Sequence, residues 1–162
     1  MAKVILICGK ICSGKTRYAK SLSKMNSAVI LSSDEITLVL FGSNGGQEHG
    51  CVVDKLQNYL YQKSLEIVDV GINVILDWGF WTQKERQKAI TFFAKHNINF
   101  EWHYIDSSDE VLRVNLNERN REIEEGRTLS YYFPDELISR FWDMFEVPSK
   151  DEMDIWVDNR IV

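Results

Sequence analysis

The sequence predicts an α/β fold: a parallel sheet with helices on both faces. Three observations carry this reading. Short apolar runs alternate with longer helical patterns from end to end, the order that builds β-α-β units. The first run, Val4 to Cys8, is apolar at every position, as expected of a strand buried on both sides. It passes directly into Gly9-Lys-Ile-Cys-Ser-Gly-Lys-Thr16, a glycine-bounded string that opens a helix.

The elements follow in order. A strand over about 3–8 leads to a helix from Gly14 to about Lys24, and Ala28 to Leu31 is a short second strand. Ser32 and Ser33 offer hydroxyl caps for a helix through about Leu40. Residues 42–50, with four glycines, are the most flexible stretch expected. Val52 to Val70 reads as a helix, with Val53, Leu56, Leu60 and Ile67 on related faces. Asn73 to Leu76 is a third strand ending at Asp77. A helix from about Thr82 to Lys95 and a strand from about Phe100 to Ile105 come next. Ser108 caps a charged helix to about Glu125, and Pro134 fits the first turn of another ending near Phe145. Ile155 to Val157 is the fifth strand. Loops around 42–50 and 119–133 are expected outside the carboxyl ends of the strands, where open α/β sheets bind ligands.

Length and composition narrow the classes. A chain of 162 residues with 44% hydrophobic and 27% charged residues predicts one globular domain, 1–162. No apolar run approaches the ~18 residues of a spanning helix, so no membrane partner is expected. The N-terminus reads as a core strand rather than a signal peptide. Cys8, Cys12 and Cys51 have no CxxC spacing, which favours reduced thiols in the cytoplasm over disulfides or zinc. A net charge of −5 weighs against gripping a polynucleotide backbone as the main task.

The glycine-bounded string is a full GxxxxGK[ST] match in the strand-to-helix context where it binds phosphate. Gly9 and Gly14 let the backbone curl so that amides around Ile11, Cys12 and Ser13 turn inward. Lys15 supplies a point charge toward the β- and γ-phosphates, and the Thr16 hydroxyl can ligate Mg²⁺. The helix that follows adds its positive end.

Other groups are candidates with open alternatives. Asp34, after the second strand, is placed either as acceptor of a hydroxyl proton or as a helix N-terminal charge beside Glu35. Asp77 orients Mg²⁺ through water, contacts an acceptor, or sits in a solvated turn. Trp78, Phe80 and Trp81 wall a pocket or pack under the next helix. Arg86 reaches phosphate or forms a surface ion pair. Arg113, Arg119, Arg121 and Arg127 either close over a transferring phosphoryl or belong to a charged solvated helix. His49, His96 and His103 lack metal-ligand spacing and read as structural; His49, in the glycine-rich stretch, is the least dismissible of the three.

Together these residues resemble the small P-loop kinases that include polynucleotide 5′-hydroxyl kinases, zeta-toxin-like kinases and chloramphenicol phosphotransferases. The resemblance rests on Gly9 to Thr16, Ser33-Asp34-Glu35, Val74 to Asp77 with Gly79-Phe80-Trp81 and Arg86, Arg119-Asn120, and Phe145-Glu146-Val147-Pro148. It implies the three-layer P-loop NTPase sandwich of nucleoside-kinase type, with a five-stranded parallel sheet and a helical lid over about 113–133. It further implies ATP with Mg²⁺ as donor, Asp34 as general base and Arg119 as lid arginine. Two positions depart from the group: Thr37 stands where an arginine often follows the base, and Asn115-Leu116 precedes Arg119 where an arginine is common. The expectation is a phosphotransferase acting on a small-molecule hydroxyl. A polynucleotide 5′-hydroxyl kinase and an ATP-binding switch for a protein partner are the alternatives.

Overall fold

A computed structural model describes residues 1–43 and 48–159. The elements are β1 (Val4–Cys8), α1 (Lys15–Asn26), β2 (Ala28–Leu31), α2 (Ser33–Phe41), α3 (His49–Asp69), β3 (Asn73–Gly79), α4 (Gln83–Lys95), β4 (Phe100–Ser107), α5 (Asp109–Glu124), α6 (Asp135–Asp143) and, after a short 3-10 turn, β5 (Ile155–Asn159). The five strands form one parallel sheet in the order β2-β3-β1-β4-β5.

β1 takes the centre because it can be buried on both sides: none of its residues is more than 1% exposed. Its side chains alternate between two cores, as the period of a strand requires. Val4, Leu6 and Cys8 join Val74, Leu76, Trp102 and Tyr104 under α3 and α4, where Tyr61, Ala89 and Phe93 complete the cluster. Ile5 and Ile7 join Ile75 and Ile105 on the other face, against Ala19 and Leu22 of α1. A third cluster, Leu112, Leu116, Ile138 and Trp142, packs α5 and α6 against Ile11 and Cys12 of the loop after β1. The α/β class and the five-stranded parallel sheet are as the alternating pattern predicted.

Helix starts follow the expected caps. The Ser32 hydroxyl accepts from the Glu35 amide, that of Ser108 from the Val111 amide, and Thr82 with Glu85 forms a reciprocal capping box. Differences lie at the carboxyl ends of the strands. β3 runs past Leu76 to Gly79, so Asp77 is not in a turn but inside the strand. Leu6 pairs with Leu76 but Cys8 pairs with Gly79. The extra β3 residue makes a bulge that re-aims Asp77 and Trp78, a device common beside active sites.

α3 begins at His49, before the expected Val52, so His49 and Gly50 are helical. Residues 44–47 of the glycine-rich stretch lie outside the described residues. The loop expected at 119–133 begins as the last turns of α5. Among the described residues no helix is long and apolar enough to cross a membrane.

Candidate active site

β1 delivers the chain into a loop whose shape its glycines make possible. A Cβ on Gly9 would lie 2.7 Å from Ser13 Oγ, and Gly14 has φ +95° at the start of α1. Cys12 is also left-handed, at φ 66°. The loop carbonyls are held from outside. Lys10 O accepts from the Ser13 amide at 3.2 Å and from Lys15 Nζ at 2.6 Å. Ile11 O accepts from Trp142 Nε1 at 3.1 Å, and Cys12 O from Asn115 Nδ2 at 2.8 Å. Ser13 O accepts from both Ser107 Oγ and Asn159 Nδ2 at 2.9 Å. With successive carbonyls engaged by surrounding elements, the polarity left to the inside of the loop is that of its N–H groups, as an anion cradle requires.

Asn115, Trp142, Ser107 and Asn159 thus support the loop from behind, a role sequence reading gave to none of them, Asn115 being noted only as a departure before Arg119. They come from α5, α6 and the ends of β4 and β5. Each is unremarkable in its own segment, and only the strand order brings them behind the loop.

The charged groups converge at the same end of the sheet. Burial lowers the pKa of Lys15, while the nearby Asp77 and Asp34 carboxylates oppose that shift. Asp34 is shifted upward. Its leading cause is burial, Asp77 adds to it, and Lys15, Arg119 and His49 pull it down. Asp34 is nevertheless open to solvent, in the first turn of α2 rather than in the core. The Thr16 hydroxyl donates to Asp77 Oδ2 at 2.8 Å. Asp77 itself is 6% exposed, and its Oδ1 is buried with no hydrogen-bond partner among the described residues.

That donor set suits magnesium. Among the described residues no cluster of three or more His, Cys, Asp or Glu side chains could hold a metal. Mg²⁺ needs no such cage, because it keeps waters and takes phosphate oxygens. Thr16 would hold the ion directly, and the unpartnered Asp77 oxygen would hold one of its waters.

Arg119 reaches the loop from α5. Its Nη1 lies 3.7 Å from Cys12 Sγ, its guanidinium stands over the Phe133 ring at 5.4 Å, and its Nε is buried with no partner among the described residues. The other arginines of this region go elsewhere. Arg113 stacks on Trp142 at 5.5 Å, Arg127 pairs with Glu125, and Arg121 is exposed.

Arg86 corrects the sequence reading, which placed it at phosphate or in a surface ion pair. It is 2% exposed. Its Nε donates to Glu152 at 3.1 Å, and its Nη1 donates to the carbonyls of Phe80 at 3.2 Å and Glu146 at 3.0 Å. The guanidinium is spent tying α4 to the chain after α6. Trp78 donates to Leu31 O at 2.9 Å and packs edge-on against Tyr61, while Trp81 packs edge-on against Phe141. These contacts brace the strand end. His103, buried, bridges Tyr18 and Glu101 away from the loop. The three cysteines are free, and burial pushes the Cys8 thiol up to about 12.

Comparison with known proteins places this geometry. A family model described as an AAA domain matches residues 4–131. No curated protein matches by sequence. Among solved structures, a candidate kinase from Chloroflexus aurantiacus j-10-fl superposes with a TM-score of 0.73 at 15% identity, over 98% of this chain and 88% of that one. Chaetomium thermophilum Kti12 in complex with ADP-AlF3 gives 0.69 at 15% identity, over 97% and 88%. A gluconokinase from Sinorhizobium meliloti 1021 gives 0.66 at 12% identity, over 99% and 84%. At these identities the structures speak for the fold, which is that of the P-loop kinases, and the family match covers most of the chain. The chain belongs to the AAA-domain family of P-loop proteins.

Proposed function

We propose that the chain is a Mg²⁺-ATP-dependent phosphotransferase that moves the γ-phosphoryl of ATP to a hydroxyl of a small-molecule acceptor. The observation that carries this is the placement of Asp34 just after β2, the strand beside the β3 that bears Asp77, where the charges of Lys15 and Arg119 both act on its carboxylate. In this reading 1–162 is a single domain and about 113–133 is its lid.

The acceptor oxygen bonds to the γ-phosphorus, and the bond from that phosphorus to the β–γ bridging oxygen breaks. ADP leaves, and the acceptor proton passes to an Asp34 carboxylate oxygen. An Asp whose pKa is shifted upward is a better proton acceptor than an ordinary surface Asp. Lys15 and Arg119 offset the charge spread over the transferring oxygens, the main task in phosphoryl transfer. When bound, Mg²⁺ supplies charge neutralisation between the β- and γ-phosphates. Lys15 and the loop amides orient the triphosphate, and Thr16 and Asp77 fix the approach to it.

A small acceptor fits better than a polynucleotide. α2, which carries Asp34, holds Asp34 and Glu35 but no Lys or Arg, and a phosphodiester chain needs cations along its path. The test is ATP consumption by the purified chain across a metabolite collection, with Asp34→Asn as control. The reading expects consumption that depends on one hydroxyl compound and disappears in the control. Acceptor-independent ATP hydrolysis, equal in both proteins, would contradict it.

A further inference from the structure

Behind Asp34, one turn further along α2, the helix is built around Thr37. This residue is 1% exposed, and its Oγ1 lies 2.9 Å from Ser33 O, 3.1 Å from Asp34 O and 2.9 Å from the Tyr131 hydroxyl. A threonine hydroxyl has one proton, and carbonyls only accept. The Thr37 proton therefore goes to the α2 backbone, and Tyr131 is the donor to Thr37. A phenol from the segment between α5 and α6 is fastened to the helical turn that bears Asp34. The Tyr131 ring also meets His49 of α3 edge-on, with ring centres 5.5 Å apart. Gln57 of α3 reaches Ser33 Oγ at 3.4 Å. Ser33 and Thr37 are buried behind, while Asp34 is exposed and His49, Gln57 and Tyr131 are half-buried around it.

The charges on this wall decide what it can take. α2 supplies two carboxylates and no cation. Arg127, in the same segment as Tyr131, is paired with Glu125, and Lys55 on α3 points to solvent. The charged groups acting on Asp34 are Lys15, Asp77, Arg119 and His49. On the α2 wall an anionic acceptor would meet the Asp34 and Glu35 carboxylates, while Arg119, the arginine acting on Asp34, lies against Cys12 of the phosphate loop. Hydroxyls would meet an imidazole, an amide and a phenol oxygen, each with hydrogen-bonding capacity suited to them.

We propose that Asp34, His49, Gln57 and Tyr131 frame an acceptor subsite for an uncharged, hydroxyl-rich small molecule, with the Tyr131–Thr37 hydrogen bond holding it closed. This rests on the phosphotransferase reading and adds its substrate class. Tyr131 acts here as a positioning residue.

The experiment uses the full chain with Mg²⁺-ATP and three groups of probes. These are uncharged polyols and sugars (glycerol, xylitol, ribose, glucose), anionic sugars (gluconate, glucose 6-phosphate) and a 5′-hydroxyl oligonucleotide. Transfer to a member of the first group is expected. Tyr131→Phe keeps the ring on His49 and should raise the acceptor KM roughly 5- to 10-fold, with kcat within about twofold, as loss of one hydrogen bond implies. Thr37→Val removes the same bond together with those to the α2 carbonyls, so its KM should rise at least as much, and the double variant should be no worse than Thr37→Val, in which the Tyr131–Thr37 bond is already gone. Transfer confined to anionic sugars or to the oligonucleotide overturns the subsite but leaves the phosphotransferase reading standing. An unchanged KM in Tyr131→Phe overturns the closing bond. No transfer to any probe, with ATP bound, removes the phosphotransferase reading and the subsite together.

Discussion

Thr16 and Asp77 meet through a 2.8 Å hydrogen bond that leaves the second Asp77 oxygen buried and, among the described residues, unpartnered. A buried acceptor without a donor costs free energy, so its retention at the mouth of a phosphate loop points to a missing partner. A magnesium-bound water is the partner that fits. Asp77→Asn keeps an acceptor for Thr16 but weakens the hold on such a water. Calorimetry with ATP should find that Mg²⁺ tightens binding to the wild type, and that this gain falls on the order of 10-fold or more in the variant, in line with outer-shell ligand losses. An identical Mg²⁺ gain in both would detach Asp77 from the ion.

Lys15 is desolvated, and its ammonium folds onto Lys10 O at 2.6 Å. A charge held that way does not stabilise the empty protein. Lys15→Ala should therefore leave the melting temperature of the free chain unchanged or raised. It should also abolish most of the upward shift that saturating ATP produces in the wild type. A large loss of stability in the free variant would show that the lysine is structural instead.

Arg86 should behave in the opposite way. Arg86→Leu leaves the Phe80 and Glu146 carbonyls without their donor and Glu152 without its ion-pair partner. Removing one member of such a pair costs about 3 kcal/mol, toward the lower end because Glu152 is partly exposed. Urea unfolding would measure it. A change below about 0.5 kcal/mol would place it among ordinary surface substitutions and contradict the tie described here.

Trp142 donates to Ile11 O at 3.1 Å. Trp142→Phe keeps an aromatic ring in the cluster with Leu112, Leu116 and Ile138 and removes that donor. ATP affinity should weaken roughly fivefold, equivalent to about 1 kcal/mol of lost loop restraint. Unchanged affinity would mean the loop keeps its shape without this donor.

The upward shift of Asp34 fixes the sign of two pH effects. The folded protein holds this proton to higher pH than the unfolded chain does. Its contribution to stability is therefore greatest below the ordinary carboxylate range and is lost as pH rises through the shifted value. Asp34→Asn should then be no less stable than the wild type at neutral pH. In the free enzyme, kcat/KM should fall on acidification, with its midpoint above the ordinary Asp range. A midpoint at or below that range would contradict the assigned proton acceptor.

What could be read from the chain followed local chemistry. Val4 to Cys8 announced a buried strand, the glycines and Lys15 announced an anion loop, and Ser32 and Ser108 announced helix starts. Asp34 could be placed because it closely follows a strand, and strand ends in a parallel sheet meet at one edge. What escaped depended on pairing across the sheet. The bulge opposite Leu6 and Cys8 aims Asp77, and no local pattern in Asn73 to Gly79 encodes it. Arg86 looked available because its helix is amphipathic and charged, yet the chain after α6 returns to bury it. Tyr131 lay in a stretch without periodicity, and its partner Thr37 was noticed only as a departure from an arginine.

The most direct test of the account is a paired measurement on Asp34→Asn: the dissociation constant for ATP and the single-turnover rate of phosphoryl transfer to the acceptor. The account predicts ATP affinity within about twofold of the wild type and transfer slower by on the order of 10²–10⁴, the range of general-base contributions. Transfer at the wild-type rate with intact ATP binding would contradict it.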